Sequence, residues 1–280
     1  MKAARFLYER PDSLPQALAL LDADERITRV LAGGQSLAPM LNLRLATPDM
    51  LVDVTRVKEL TRAEDDDDAV VLGACVTHAS IEDGRVPDPT HGIMRRVAAG
   101  IAYRAVRNRG TIGGSLAHAD PAADWVVTLA ALDAKVLVAS TRARRTLTIS
   151  ELVVGPFETA LAAGEIIEAI RIAKIARDAR FGYCKIARKA GKFADAMAAV
   201  LFDRKANIHR MVIGATESRP LVIEGLGDPA RTSDLARAAS SGDEVVGAQL
   251  LERAGLMGDT YFVHLHFVAL RRALSEARLQ

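Results

Sequence analysis

Aromatic residues are scarce in this chain of 280 residues: Phe, Tyr and Trp together make up 4%, with a single Trp. That scarcity excludes a base-stacking platform for nucleic acid. An excess of one charge is missing too. The 37 basic and 35 acidic residues leave a net charge of +2, so neither nucleic acid nor an anionic membrane is implied as a partner. Cysteine is down to two residues, Cys75 and Cys184. They suggest no disulfide framework, and they fall short of the four thiolates an iron–sulfur cluster normally takes. Any metal electron carrier is therefore expected on another chain. No apolar run is long enough to span a bilayer, and the opening MKAARFLYERPDSL has no apolar signal core. A cytoplasmic location is the expectation. What the chain does have is apolar bulk: at 50% it suffices for one large or two to three smaller domains.

The informative stretch is TIGGSLAHADPAAD, Thr111 to Asp124. It turns on Gly113 and Gly114 and carries Ser115, His118, Asp120 and Asp124 close behind. Pro121 stands just inside the apolar run AADWVVTLAAL, with Asp120 before it, which predicts a helix capped by Asp120. A glycine pair ahead of a helix exposes N–H groups to an anion, and the helix dipole favours the same charge. An earlier stretch, AGGQSL, repeats the design. Ala32, Gly33, Gly34, Gln35, Ser36 and Leu37 follow the strand-like ITRVLA and precede LAPMLNLRL, which has helical spacing. One such turn is weak evidence. Two suggest a single ligand with an extended phosphate and a planar end. Neither reads G-x-G-x-x-G or G-x-x-x-x-G-K-[ST], so Rossmann and P-loop readings fail.

AGGQSL followed by VRNRGTIGGSLAHADPAAD resembles the FAD-binding medium subunit of molybdenum hydroxylases, the carbon-monoxide-dehydrogenase and xanthine-dehydrogenase-like enzymes. The similarity covers nearly the whole chain, including YCKIARKAGKFADA from Tyr183 to Ala196. It implies an α+β fold: a vanillyl-alcohol-oxidase (PCMH)-type FAD-binding domain over 1–176, with subdomains of about 1–56 and 57–176. A C-terminal domain of antiparallel strands plus helices would span 177–280. The first glycine turn would wrap the pyrophosphate, and Thr111 to Ser115 would finish the cradle and approach the flavin. Ile101 and Ile167 would supply apolar contacts, Asp124 would hold the flavin, and Tyr183 and Lys185 would approach the isoalloxazine. Relatives that attach flavin covalently use a histidine where Gln35 stands, which implies non-covalent FAD. The implied partners are an iron–sulfur small subunit and a molybdenum large subunit, in a dimer of heterotrimers, with molybdenum-pterin and [2Fe–2S] groups only on those chains.

The remaining candidates read as ordinary structure. EDDDD, Glu64 to Asp68, lacks the spacing of a calcium loop and predicts a solvated hairpin turn. Arg104, Arg107 and Arg109 more often pair with carboxylates than with phosphate. His264 and His266 lie two apart on a predicted helix, so they do not share a face, and the expectation is a helix surface or interface. Gln35-Ser36 lacks the second glycine of a nucleophile elbow. His118 and Asp120 read as ligand-loop residues that bond a cofactor or one another before they read as acid and base. Tyr183 and Lys185 alternate on one strand face. Two rivals stand beside the subunit reading, a self-sufficient flavin oxidase of the same fold and a non-enzymatic flavin-binding protein.

Overall fold

The computed structural model describes residues 2–22, 26–224 and 229–279, and side chains of 229–233 and 278–279 are left out. The first unit alternates strands and helices: β1 (Leu7–Glu9), α1 (Leu14–Asp22), β2 (Thr28–Leu31), α2 (Leu37–Asn42) and β3 (Met50–Asp53). Leu14, Ala17 and Leu18 recur at helical spacing, so one face of α1 is buried. The strands form a parallel sheet in the order β1-β3-β2. All four residues of β3 are buried, as expected of a central parallel strand.

The second unit begins with α3 (Lys58–Thr61), β4 (Ala63–Asp65) and β5 (Ala69–Gly73). β4 and β5 pair antiparallel, which places Asp66 to Asp68 in the hairpin turn read from the acidic run. Three short helices follow, α4 (His78–Glu82), α5 (Ile93–Ala99) and α6 (Arg104–Arg107). Next come α7 (Ile112–His118), α8 (Asp124–Ala131), β6 (Lys135–Ala139), β7 (Arg144–Thr148), α9 (Ile149–Leu152), β8 (Val153–Gly155), β9 (Glu158–Thr159) and β10 (Ile166–Ala173). The large sheet is antiparallel in the order β4-β5-β10-β6-β7. All eight residues of α8 are buried, so this helix runs through the core.

The third unit is a four-stranded antiparallel sheet, β11 (Arg180–Ile186), β12 (Ala196–Asp203), β13 (Ile208–Gly214) and β14 (Leu221–Glu224). Three helices complete the chain, α10 (Pro229–Ser241), α11 (Glu244–Arg253) and α12 (Thr260–Leu279). β12 reads as an unbroken apolar run because both of its faces are covered. Met197, Ala199 and Leu201 join the core built around α8, while Ala196, Ala198 and Val200 join the core built on α12. Two glycines permit this close layering. A Cβ on Gly182 would lie 1.8 Å from the Ala273 carbonyl oxygen of α12, and one on Gly214 would lie 2.0 Å from Val127 of α8.

Candidate functional site

The first glycine turn leaves the C-terminal end of β2 and enters α2. Gly34 has φ +71°, in the left-handed region that glycine adopts without strain. The N–H groups of Gly34, Gln35, Ser36 and Leu37 have no intramolecular acceptor among the described residues. Gln35 turns back to donate to the Gly33 carbonyl at 3.2 Å. Four consecutive open N–H groups in a turn form an anion-binding concavity.

The second motif differs from its sequence reading. Gly113 and Gly114 do not precede a helix; they lie in the first turn of α7, and neither has a positive φ. Thr111 caps that helix, its hydroxyl accepting from the Gly114 N–H at 3.0 Å. Ser115 N–H donates to Thr111 O at 3.0 Å and Gly113 N–H to Ala74 O at 2.9 Å. These donors are therefore engaged, because a Thr side chain in extended conformation is itself an N-cap. The motif supplies shape instead. A Cβ on Gly113 would meet that of Ala74 at 2.4 Å, and one on Gly114 would meet the Thr111 hydroxyl at 2.7 Å. A Cβ on Gly33 would lie 2.0 Å from Arg109 O and 2.8 Å from Gly110 Cα. Two glycine stretches about 80 residues apart thus pack backbone to backbone.

Asp120 is not a helix cap. It accepts from Ala122 N–H at 2.9 Å, and α8 starts four residues later at Asp124, with Ala123 in the capping position. Asp124 is the first residue of α8, buried, and it meets both residues named on β11. Tyr183 donates its hydroxyl to Asp124 Oδ1 at 2.7 Å, and Lys185 Nζ lies 3.0 Å from each carboxylate oxygen. Burial foremost, and then the Asp124 charge and hydrogen bond, hold the Tyr183 phenol well above its ordinary pKa. The alternation read from YCKIAR brings both side chains to one carboxylate.

Behind this cluster lies a pair that sequence reasoning missed. The Trp125 indole N–H donates to His78 Nδ1 at 3.0 Å, and His78 N–H donates to Gly110 O at 2.9 Å. A Cβ on Gly110 would lie 2.8 Å from the His78 ring. Burial, and secondarily Arg107, push the His78 pKa down to about 4, so its imidazole is neutral and accepts at Nδ1. The sole Trp and a His 47 positions earlier carry no shared motif, so no spacing rule signals their contact.

The other candidates separate. His118 packs on Phe157 with ring centroids 5.1 Å apart and does not bond Asp120. Arg104 pairs with Asp83 and Glu82, and Arg107 pairs with Glu82 while donating to the Ile101 carbonyl at 2.9 Å. The Arg109 side chain has no hydrogen-bond or ion-pair partner among the described residues, while its N–H donates to Val106 O at 3.1 Å. Ile167 is buried in the main core, and Ile101 is partly buried against it. His264 faces Glu244 at 3.5 Å on the surface. His266 does not lie on a surface: it is buried in α12, its two ring nitrogens at 2.8 Å from Phe262 O and 3.1 Å from Gly214 O. The described residues contain no cluster that suits a metal ion. No described helix is long and apolar enough to cross a membrane.

A cleft of about 440 Å³ opens beside the glycine contact, lined by Arg10, Gly33, Thr55, Thr77, Asn108 and Arg109 among others. The open N–H turn and the cationic and hydroxyl lining fit a dinucleotide with a diphosphate.

Residues 3–174 match the family described as the FAD binding domain in molybdopterin dehydrogenase. The chain belongs to this family. Its cofactor is FAD, carried on an α+β fold. It is 35% identical to the nicotine 6-hydroxylase medium subunit of Paenarthrobacter nicotinovorans, across 99% of both chains. It is 32% identical to the carbon monoxide dehydrogenase medium chain of Hydrogenophaga pseudoflava, over 81% of this chain and 79% of that one. Among solved structures, carbon monoxide dehydrogenase from Hydrogenophaga pseudoflava superposes with a TM-score of 0.85 at 27% identity, covering 100% of this chain and 99% of the other. Quinoline 2-oxidoreductase from Pseudomonas putida 86 gives 0.82 at 31% identity, covering 99% of each. As an FAD-binding chain of this family, it is an oxidoreductase component.

Proposed function

We propose that this chain is the FAD-carrying medium subunit of a multi-subunit molybdenum hydroxylase. Electrons would enter from [2Fe–2S] clusters on a small subunit, after substrate oxidation at a molybdenum-pterin group on a large one, and leave for an external acceptor. The 35% identity to a medium subunit across 99% of both chains supports this reading. The single observation that carries it is the juxtaposition of the open N–H turn at Gly34–Leu37 with the second glycine motif.

FAD, when bound, supplies the two-electron and one-electron redox chemistry that couples such donors and acceptors. The chain's residues bind and orient it. Ala32 to Leu37 hold the pyrophosphate through backbone N–H groups, and Gln35, where a linking histidine would stand, leaves the cofactor non-covalent. Thr111, Gly113, Gly114 and Ser115 keep that turn in place and give the cofactor a close approach. Ile101 and Ile167 supply apolar contact, and His118 and Asp120 border the loop between α7 and α8. Asp124 holds the Lys185 ammonium and the Tyr183 hydroxyl together on one carboxylate, and this cluster would place a cation and a phenol near the flavin. No residue of the chain acts on the hydroxylase substrate.

The chain divides at about residue 176 into an FAD-binding domain (1–176, with subdomains near 1–56 and 57–176) and a C-terminal domain (177–280). The passage from β10, which ends at Ala173, to β11 in a separate sheet supports that division. A cytoplasmic dimer of heterotrimers is the assembly this reading expects. Purifying the native complex and identifying its chains and cofactors tests the whole of it. A chain that turns over a hydroxylase substrate alone, with metals shown absent, would favour a self-sufficient oxidase.

A further inference from the structure

The parallel sheet of the first unit has two ends of different character. Its strands finish at Glu9, Leu31 and Asp53, beside Arg10, Gly33 and Thr55 of the cleft. Ligands of open parallel sheets bind at this carboxyl end. The amino end carries something else. Phe6 precedes β1 and Leu7 opens it, Ile27 precedes β2, and Leu7 and Thr28 flank Met50 in register. Phe6, Leu7 and Ile27 are 37%, 51% and 60% exposed. Leu43 and Leu45 join them at 53% and 71%, at the far end of α2 from the open N–H turn.

The chain holds these leucines outward. Leu45 N–H donates to Met40 O at 2.9 Å, Arg44 between the two takes φ 57°, and its guanidinium donates to Lys2 O at 3.2 Å. Asp49 links the rows, accepting from Leu7 N–H at 2.8 Å through its carbonyl and donating to Ile27 O at 2.9 Å. The margin is cationic: the side chains of Lys2, Arg5, Arg29 and Arg44 have no carboxylate partner among the described residues. Among the described residues of the margin, the Asp49 carboxylate is engaged with Ile27 N–H at 2.9 Å.

We propose that this amino-terminal edge of the small sheet is a protein-docking surface, filled by a partner subunit that presents an apolar patch ringed by carboxylates. The proposal rests on the reading of the chain as one subunit of a larger enzyme. Grouped exposed apolar side chains inside a polar rim are the anatomy of an interface core. The unpaired cations select a partner of opposite charge and steer its approach. A lipid surface fits less well, since interfacial binding relies on an amphipathic helix and these residues lie on a strand start and a tight turn. The patch sits on the opposite end of the sheet from the cleft, so docking and FAD binding are separable.

The test is assembly of the full chain with its native partner chains. Leu43→Asp with Leu45→Asp should release a flavin-bound chain from the complex, seen by size-exclusion chromatography as at least a tenfold weaker association. Lys2→Glu with Arg5→Glu should weaken assembly at low salt and do so less at high salt. This second pair changes only exposed charge, so it tests the surface if the leucine pair fails to fold. Variants that stay in the complex like the parent overturn the docking assignment alone. A parent that binds FAD yet never associates with other chains overturns the subunit reading, and the proposal with it. Vesicles of phosphatidylserine and phosphatidylcholine that bind the parent but not the leucine variant, with assembly unchanged in both, assign the patch to lipid and overturn the proposal.

Discussion

Replacing His78 by asparagine separates the two things its imidazole does, accepting a hydrogen bond and refusing a proton. Burial foremost, then Arg107, push its pKa down to about 4 from an ordinary value of 6.5. The folded chain therefore keeps the ring neutral, while the unfolded chain takes up a proton below pH 6.5. Protonation then favours the unfolded state, so this group costs the parent stability as pH falls from about 6.5 towards 4. At about 1.4 kcal/mol per pH unit, the loss over that window is roughly 3 kcal/mol. Asparagine offers an amide oxygen near the Nδ1 position, so it retains the bond from Trp125 but cannot titrate. His78→Leu keeps bulk and leaves the buried indole N–H without a partner, costing about 1–3 kcal/mol at any pH. Trp125 is the only Trp in the chain, so its fluorescence reports on this contact. Urea unfolding of the flavin-free chain at pH 7, 6, 5 and 4 should show the parent losing roughly 3 kcal/mol relative to His78→Asn. At pH 7 the asparagine variant should be clearly more stable than the leucine variant. Parallel pH curves for parent and asparagine variant, or equal stability of the two variants at pH 7, would refute the reasoning.

Four further outcomes are expected. Gly33→Ala forces a methyl against the Arg109 carbonyl, which is backbone and cannot swing away; overpacking of about 1–3 kcal/mol should lower the melting temperature, and FAD titration should show at least a tenfold weaker complex. A parent-like FAD affinity in this variant would refute the role given to the contact between the glycine motifs. Asp124→Asn removes the charge that Lys185 faces while keeping size; a partly buried ammonium left without its counter-ion should cost about 3 kcal/mol in a melting experiment and weaken FAD in titration. Because the Tyr183 phenol is held above pH 10, the folded chain keeps a proton that the unfolded chain loses there, and stability falls as pH rises; Tyr183→Phe should make that alkaline fall shallower by about 1.4 kcal/mol per pH unit in denaturant titrations. Finally, acid precipitation of the loaded protein should leave all flavin colour in the supernatant, and colour that stays with the polypeptide would contradict the non-covalent reading of Gln35.

Much of the fold was legible because it rests on local rules. The strand-like ITRVLA fell on β2, the helical spacing of LAPMLNLRL on α2 and the apolar run AADWVVTLAAL on α8, and the acidic run Glu64–Asp68 fell at the β4–β5 hairpin. The crowding at the glycine motifs and the shared strand face of Tyr183 and Lys185 were legible for the same reason: close backbone approach and strand faces are written in residue type and spacing. The cap was misread at Asp120 because a Pro after an Asp also makes a turn. Here the Asp120 carboxylate satisfies Ala122 N–H two residues on, and the helix waits for Asp124. The second glycine pair was misread because a glycine pair is equally compatible with an open turn and with a crowded first helical turn. Only the neighbour decides, and here Ala74 and Thr111 occupy the space.

By itself the sequence determined the classes of element, the identity of the two glycine stretches and the chemistry available to them: open N–H groups, one carboxylate, one ammonium, one phenol. The tertiary structure alone decided which of these act together. Gly33 meets Arg109, Asp124 receives Tyr183 and Lys185 from a sheet that begins 56 positions later, and His78 receives Trp125. Such contacts depend on how layers stack, and stacking is set by the summed burial of many side chains. No single residue type or spacing encodes it.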